Sequence, residues 1–171
     1  EEIFGNSHNL GVLLVTDDVF SEESLHLIQT LGDRMMEIPY AKHLTSLIEV
    51  DIPVGTADGF NVVKPYEKGI PSDPVELQAR RDFIMRGSEK TNSLINSLVS
   101  DDGRETWILL SLEPYEGDVD EEVMKVGYAL NDLLQSPEFQ SDSYKLYGTG
   151  QPYSDAQEEI YEYPDYLLRI A

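Results

Sequence analysis

The chain has 171 residues, room for one domain with a real core or for one domain carrying a sizeable insertion. Apolar residues make up 40% of it and cluster periodically between turn residues, which speaks for a folded α/β or α+β domain and against a disordered tail. Its formal net charge of −21, from 33 acidic and 12 basic residues, repels phosphate backbones and anionic headgroups, which argues against nucleic acid as a partner. Without cysteine there are no disulfides and no thiolate metal sites. No stretch reaches the roughly 20 apolar residues that span a bilayer, and none reads as a signal peptide. The ends, Glu1 and Ala171, read as cuts through a longer protein.

In chain order, Leu10–Thr16 (LGVLLVT) is a short apolar run that predicts a buried central strand, closed by Asp17 and Asp18. Ser21 then caps a helix whose first turn holds Glu22 and Glu23, where the positive end of the helix dipole favours carboxylates. Leu25, Ile28, Leu31, Met35 and Ile38 recur at three- and four-residue steps and give it one apolar face, with Pro39 as the stop. His43–Ile52 (HLTSLIEVDI) alternates well enough to predict a second strand. From Pro53 to Ser72 the pattern dissolves into Gly, Pro, Asp and Lys, an insertion or long loop with a short hairpin around Asp58-Gly59.

Asp73-Pro74-Val75-Glu76 is a helix start, with an acceptor at the cap, proline in the first turn and glutamate at the third position. That helix is expected to reach about Met85 and end at Gly87, with a shorter helical piece before Asn96. Asp-Gly between the runs Leu98-Val99 and Thr106–Leu110 signals a hairpin. Val119–Gln135 is amphipathic through Val123, Val126, Leu130, Leu133 and Leu134, and Pro137 lies just past its end. Tyr144–Thr149 (YKLYGT) predicts a short strand broken by Gly150 and Pro152, and Asp155–Ile170 an acidic final helix bent at Pro164.

With the middle section set aside, the order is strand, helix, strand, then strand, helix, strand. This is the split βαβ arrangement of ferredoxin-like folds. The expected fold is therefore α+β: a four-stranded antiparallel sheet, two main helices on one face, and residues 53–100 inserted between the halves of a single domain spanning 1–171.

Chemistry is sparse. His8, His26 and His43 stand apart, with neither an HExxH pattern nor an i, i+4 pair, so no metal site is expected. Asp118, Asp120, Glu121 and Glu122 lack the glycine and distal glutamate of a calcium loop and sit where a helix wants negative charge. Asp101 and Asp102 can be imagined as paired hydrolytic carboxylates, but Asp-Asp-Gly is ordinary turn chemistry. Gly148-Thr149-Gly150 resembles a fragment of a phosphate loop without its lysine or full glycine spacing. There is no nucleophile elbow and no thiol. No catalytic, cofactor-binding or metal residue is assigned, no cofactor is expected, and the substrate-binding residues stay open.

Three phrases carry a resemblance. Phe4-Gly5, the strand Val12–Thr16 and Asp18-Val19-Phe20-Ser21 leading into a helix resemble the first periplasmic loop of RND-superfamily exporters, in the branch of the mycobacterial large membrane proteins and the hopanoid transporters. Leu98-Val99-Ser100-Asp101-Asp102-Gly103-Arg104 and Gly148-Thr149-Gly150-Gln151-Pro152 are similar to further phrases of that loop, in the same order. The resemblance implies an extracytoplasmic porter domain between two transmembrane helices of a membrane protein, with residues 154–171 leading toward the second. It implies proton-driven export, with a lipid or other hydrophobic substrate, and as partners the rest of its own transmembrane chain and a second porter loop. Proton-carrying acids would lie in the membrane helices, outside this chain. Residues 53–72 match no phrase of the family. The alternative is a free-standing ferredoxin-like ligand-binding or regulatory module, since that fold hosts many functions.

Overall fold

A computed structural model describes residues 7–91 and 98–162. Its elements are β1 (Asn9–Thr16), α1 (Glu22–Met35), β2 (Ala41–Thr45), β3 (Ile52–Thr56), β4 (Gly59–Val63), α2 (Pro74–Thr91), β5 (Glu105–Leu112), α3 (Val119–Gln135), a 3-10 turn (Pro137–Phe139), β6 (Tyr144–Thr149) and α4 (Gln151–Glu162). Four strands form an antiparallel sheet in the order β2-β5-β1-β6, while β3 and β4 pair only with each other. The protein is α+β, and its main sheet has the ferredoxin-like split βαβ order.

Alternation explains how the sheet is covered. Leu10, Val12 and Leu14 of β1 and Ile108, Leu110 and Leu112 of β5 are buried. They share a core with Leu25, Ile28, Leu31 and Met35 of α1 and with Val126, Leu130 and Leu134 of α3. Residues two apart on a strand face the same side, so one period-2 set meets the period-3.6 stripe of each helix. The Ser21 side chain accepts a hydrogen bond from Ser24 N–H, and Asp118 does the same for Glu121 N–H, so both main helices begin on a side-chain cap.

Several boundaries differ from the sequence-based expectation. The second strand is Ala41–Thr45 rather than His43–Ile52. Ser46 ends it: its Oγ accepts from Ile48 N–H at 3.2 Å and its carbonyl from Glu49 N–H at 3.1 Å. A hydroxyl that offers the backbone a local partner competes with the sheet ladder. Ile52 then opens the separate β3–β4 hairpin, which turns at Asp58-Gly59 as expected, with Gly59 at φ 137°. Helix α2 passes through Gly87 to Thr91, because a glycine weakens a helix by about 1 kcal/mol without compelling it to end. The helical piece expected before Asn96 falls largely on 92–97, outside the described residues. The final helix begins at Gln151, not Asp155. Gly150, at φ 115°, turns the chain, and its carbonyl accepts the Ser154 N–H at 2.9 Å. Pro152 thus sits in the first turn, where its missing N–H costs nothing. Pro164 and the rest of 163–171 lie outside the described residues.

The insertion shares the main core. Tyr66, Ile84, Leu98 and Val99 of the insertion, with Val50 and Ile52 just before it, are buried in the same apolar cluster as β1 and β5. At the opposite side of the molecule α4 packs on α3 so closely that a Cβ on Gly127 would come within 1.9 Å of the Pro152 carbonyl oxygen. That neighbour is backbone and has little room to give. Gly127→Ala should therefore destabilise the fold by about 2 kcal/mol or more despite alanine's better helix propensity. A lower urea midpoint with an unchanged slope checks this.

Candidate functional site

Several polar contacts converge at the C-terminal end of β1. Thr16 N–H donates to the Arg104 carbonyl and Val19 N–H to the Gly103 carbonyl, each at 2.9 Å. The turn from Asp18 to Ser21 is thereby tied to the one from Ser100 to Arg104. Asp18 Oδ1 closes its own turn by accepting from Phe20 N–H at 2.9 Å. Arg81 of α2 reaches into this joint, 3.6 Å from Asp18 Oδ1 and with its guanidinium 5.4 Å from the centroid of the buried Phe20 ring. Gly103, at φ 70°, makes room for it: a Cβ there would lie 2.8 Å from Arg81 Nη1.

One residue further, Arg80 Nε donates to the Pro65 carbonyl at 2.8 Å and its Nη1 lies 3.3 Å from Glu76. Next to Pro65, the Tyr66 ring is 4% exposed, and its hydroxyl meets no hydrogen-bond partner among the described residues. Burial, ahead of the opposing field of Arg80, pushes its pKa well above the usual phenol value.

Asp101 and Asp102 do not form a paired acid site. Asp102 Oδ1 accepts from Ser100 Oγ at 2.7 Å and from Arg104 N–H at 3.0 Å, and the side chain shapes the turn. The Ser100 hydroxyl first, then the Arg104 N–H, hold its carboxyl below the usual range. The turn is narrower than an extended hairpin: beside β5, Val99 pairs with Thr106 as a single bridge.

The other sequence candidates are scattered. His8 is stacked on Tyr115 with centroids 4.9 Å apart, His26 lies on α1 at 3.8 Å from Glu22, and His43 is exposed on β2. Glu122 accepts from Tyr40 Oη at 2.6 Å and pairs with Lys125 at 2.7 Å. Lys125 first, then Tyr40, lowers its pKa. Tyr40 itself has φ 68°. Tyr115 donates to the Ser7 carbonyl, and burial pushes its pKa up to about 12. In the third phrase, a Cβ on Gly148 would meet the Tyr153 ring at 2.8 Å, and one on Gly150 the Asn9 carbonyl oxygen at 2.5 Å. Those glycines serve close packing. Among the described residues, no group of three or more His, Asp or Glu is arranged to hold a metal ion.

Two surfaces went unnoticed in the sequence. The first is the face of the main sheet away from α1 and α3. There Leu13 lies between Trp107 and Tyr147 in register, with Val15 and Leu109 beside them. Four of the five are half-buried, and Tyr147 is 56% exposed. The second is the β3–β4 hairpin, where Phe60 is 70% and Val62 59% exposed. Alternating residues of β1, β5 and β6 carried the first signal, but both faces of those strands are apolar and the pattern did not separate them. A groove of about 450 Å³ between α3 and α4, floored by Val123 and Met124, is rimmed with acids including Asp120, Asp155 and Glu158.

The chain matches no protein-family model and no curated protein sequence.

Two outcomes follow from the junction. Tyr66→Phe removes a buried hydroxyl that has no partner among the described residues, so stability should be unchanged or rise by up to about 1 kcal/mol in a chemical melt. For Asp102, the folded pKa is depressed, so its stabilisation is present above the unfolded value near 3.8 and is lost as pH falls through the lowered value. Asp102→Asn should be less stable than the parent above about pH 5, with the gap closing as pH drops below about 4. Paired melts across that range check it.

Proposed function

We propose that this chain is the extracytoplasmic porter domain of a proton-driven exporter of the RND type, forming part of the route for a lipid or other hydrophobic substrate. It is not an enzyme on this reading. The observation that carries the reading is the role of the three resembling phrases. Residues 18–21 and 98–104 are hydrogen-bonded into one joint, and 148–152 forms the close-packed turn between β6 and α4. The described parts of all three phrases belong to one ferredoxin-like unit, as joints of a single domain should, while Phe4-Gly5 of the first phrase lies outside the described residues. The partly exposed apolar row on the sheet and the apolar hairpin also suit a domain that docks against other parts of a larger protein. No helix among the described residues is long and apolar enough to cross a membrane, so coupling to protons would reside in other segments.

The test uses the complete coding sequence. Apolar segments of roughly 20 residues on both sides of this chain, and recovery of the product in membranes, are expected. In that protein, replacing Phe60 and Val62 by serine should slow export of a hydrophobic substrate several-fold, while proton-linked changes in the membrane helices persist. A start codon just before Glu1 and a stop just after Ala171 would favour the free-standing module. Turnover of a hydrolase substrate that disappears on mutating a named carboxylate would favour an enzyme.

A further inference from the structure

Between Ile52 and Val63 the sequence IPVGTADGFNVV carries a single charge, Asp58, in a chain that holds 33 acids. It forms the β3–β4 hairpin, and among the described residues β4 pairs with β3 and with no other strand. All five residues of β4 are exposed. The two-residue loop Ala57-Asp58 makes Thr56 and Gly59, the pair that closes it, exchange both hydrogen bonds. Pairs alternate from there, so Val54–Asn61 and Ile52–Val63 are also bonded, while Gly55–Phe60 and Pro53–Val62 are not. Pro53 falls where the ladder needs no N–H from it. The backbone N–H and C=O groups of Phe60 and Val62 therefore point out of the hairpin, along the free edge of β4.

The two edges of the hairpin differ. On the β3 side Pro53 has no N–H to offer, and β3 is the strand that packs beside α2. β4 has no proline, and no charge between Phe60 and Val63. On one face Phe60 is 70% and Val62 59% exposed, beside Gly55 and Pro53, while Ile52 on the other face is buried. A second β4 laid antiparallel along this edge, with a two-fold axis at Asn61, sets Phe60 against the partner's Val62 and Val62 against the partner's Phe60. These are the residues whose backbone groups point outward, so each pair exchanges two hydrogen bonds. Their side chains meet on the same face as an apolar row across both copies. Two residues further out in the same register, Asp58 stands beside the partner's Lys64, once on each side of the axis. Parallel pairing would set carboxylate against carboxylate and ammonium against ammonium.

We propose that β4 pairs edge to edge with β4 of a second copy of this chain, joining the two hairpins into one continuous antiparallel sheet about a two-fold axis at Asn61. A two-stranded hairpin is marginal on its own and gains from added strands. The contact is isologous, since the edge matches itself under that rotation. Backbone bonds and the Phe60–Val62 pairs supply the affinity, and Asp58 and Lys64 select the antiparallel sense. Lys64 already lies 2.7 Å from Asp51, and Glu49 and Glu67 also act on its charge. With carboxylates in excess there and −21 on each chain, association should tighten as salt rises from low to moderate concentration and screens the repulsion. The proposal is independent of the exporter reading.

The test uses the whole 171-residue chain, whose lack of cysteine makes any introduced thiol unique. In sedimentation equilibrium wild type is expected to dimerise. The double variant Phe60→Lys/Val62→Lys sets like charges against each other in both pairs, and should bind itself at least about tenfold more weakly. Both positions are exposed, and an unchanged melting profile confirms that the variant folds. Should it melt early, the crosslinking pattern decides alone. Asn61→Cys sits on the axis, where non-hydrogen-bonded Cα atoms lie about 4.5 Å apart, within disulfide reach. Mild oxidation should convert most of that protein to covalent dimer, and little of Thr56→Cys, whose thiol is on the far strand. A wild type that stays monomeric at the highest attainable concentration overturns the proposal. So does a folded double variant that dimerises as well as wild type. An Asn61→Cys protein that dimerises without crosslinking, or a Thr56→Cys protein that crosslinks as readily, overturns it too.

Discussion

Strand β1 is hydrogen-bonded along both edges, to β5 and to β6, and its inward residues Leu10, Val12 and Leu14 are fully buried. Everything else in the structure is placed by reference to it. A strand in this position cannot shift by one residue without turning those three side chains to the open face and Leu13 and Val15 into the core. That constraint holds the register of β5 and β6 together. It also brings three segments distant in sequence to the ends of β1. Residues 100–104 and α2 meet at its C-terminal end, and Gly150 packs against Asn9 at its N-terminal end.

The C-terminal joint shows how an insertion can be attached without a second core. Apolar contact through Ile84, Ile52 and Tyr66 supplies the burial. The orientation comes from Arg81, which meets both the Asp18 carboxylate and the Phe20 ring, and from the space left by Gly103. An ion pair at 3.6 Å whose groups are 30% and 50% exposed contributes at most about 1 kcal/mol, so its value lies in direction more than in strength. Tyr66 sits under the same joint with a buried hydroxyl lacking a partner among the described residues, a local cost that apolar burial of the ring offsets.

Acidity is distributed with the same economy. Carboxylates occupy first turns of helices, turn closures such as Asp102, and pairs such as Glu122 with Lys125 and Tyr40. At the end of the sheet Asp17, Asp102, Glu105 and Asp142 line one depression with Val15, Arg104 and Lys145. The exporter reading draws on the apolar row of Leu13, Trp107 and Tyr147, two residues further along the sheet.

Much of this was legible in the chain itself. Ser21 and Asp118 announced the two main helices, Gln135 and Pro137 the end of the second, and Asp58-Gly59 the hairpin, because caps and turns are decided by groups a few residues apart. The strand-helix-strand order of the two halves then implied the antiparallel sheet. The sequence was silent where distance along the chain was large. Nothing near Gly127 says that Pro152 will lie against it, and nothing near Arg81 says that Asp18, 63 positions away, will be its partner. Gly87 and Gly150 look alike as punctuation, yet one is absorbed by a helix and the other turns the chain before α4. Local hydrogen-bonding chemistry determined the elements. Which of two apolar strand faces would receive the helices, and which would be left with Lys145 and Glu105 on either side of Val15, was decided only when the tertiary packing filled one side of the sheet.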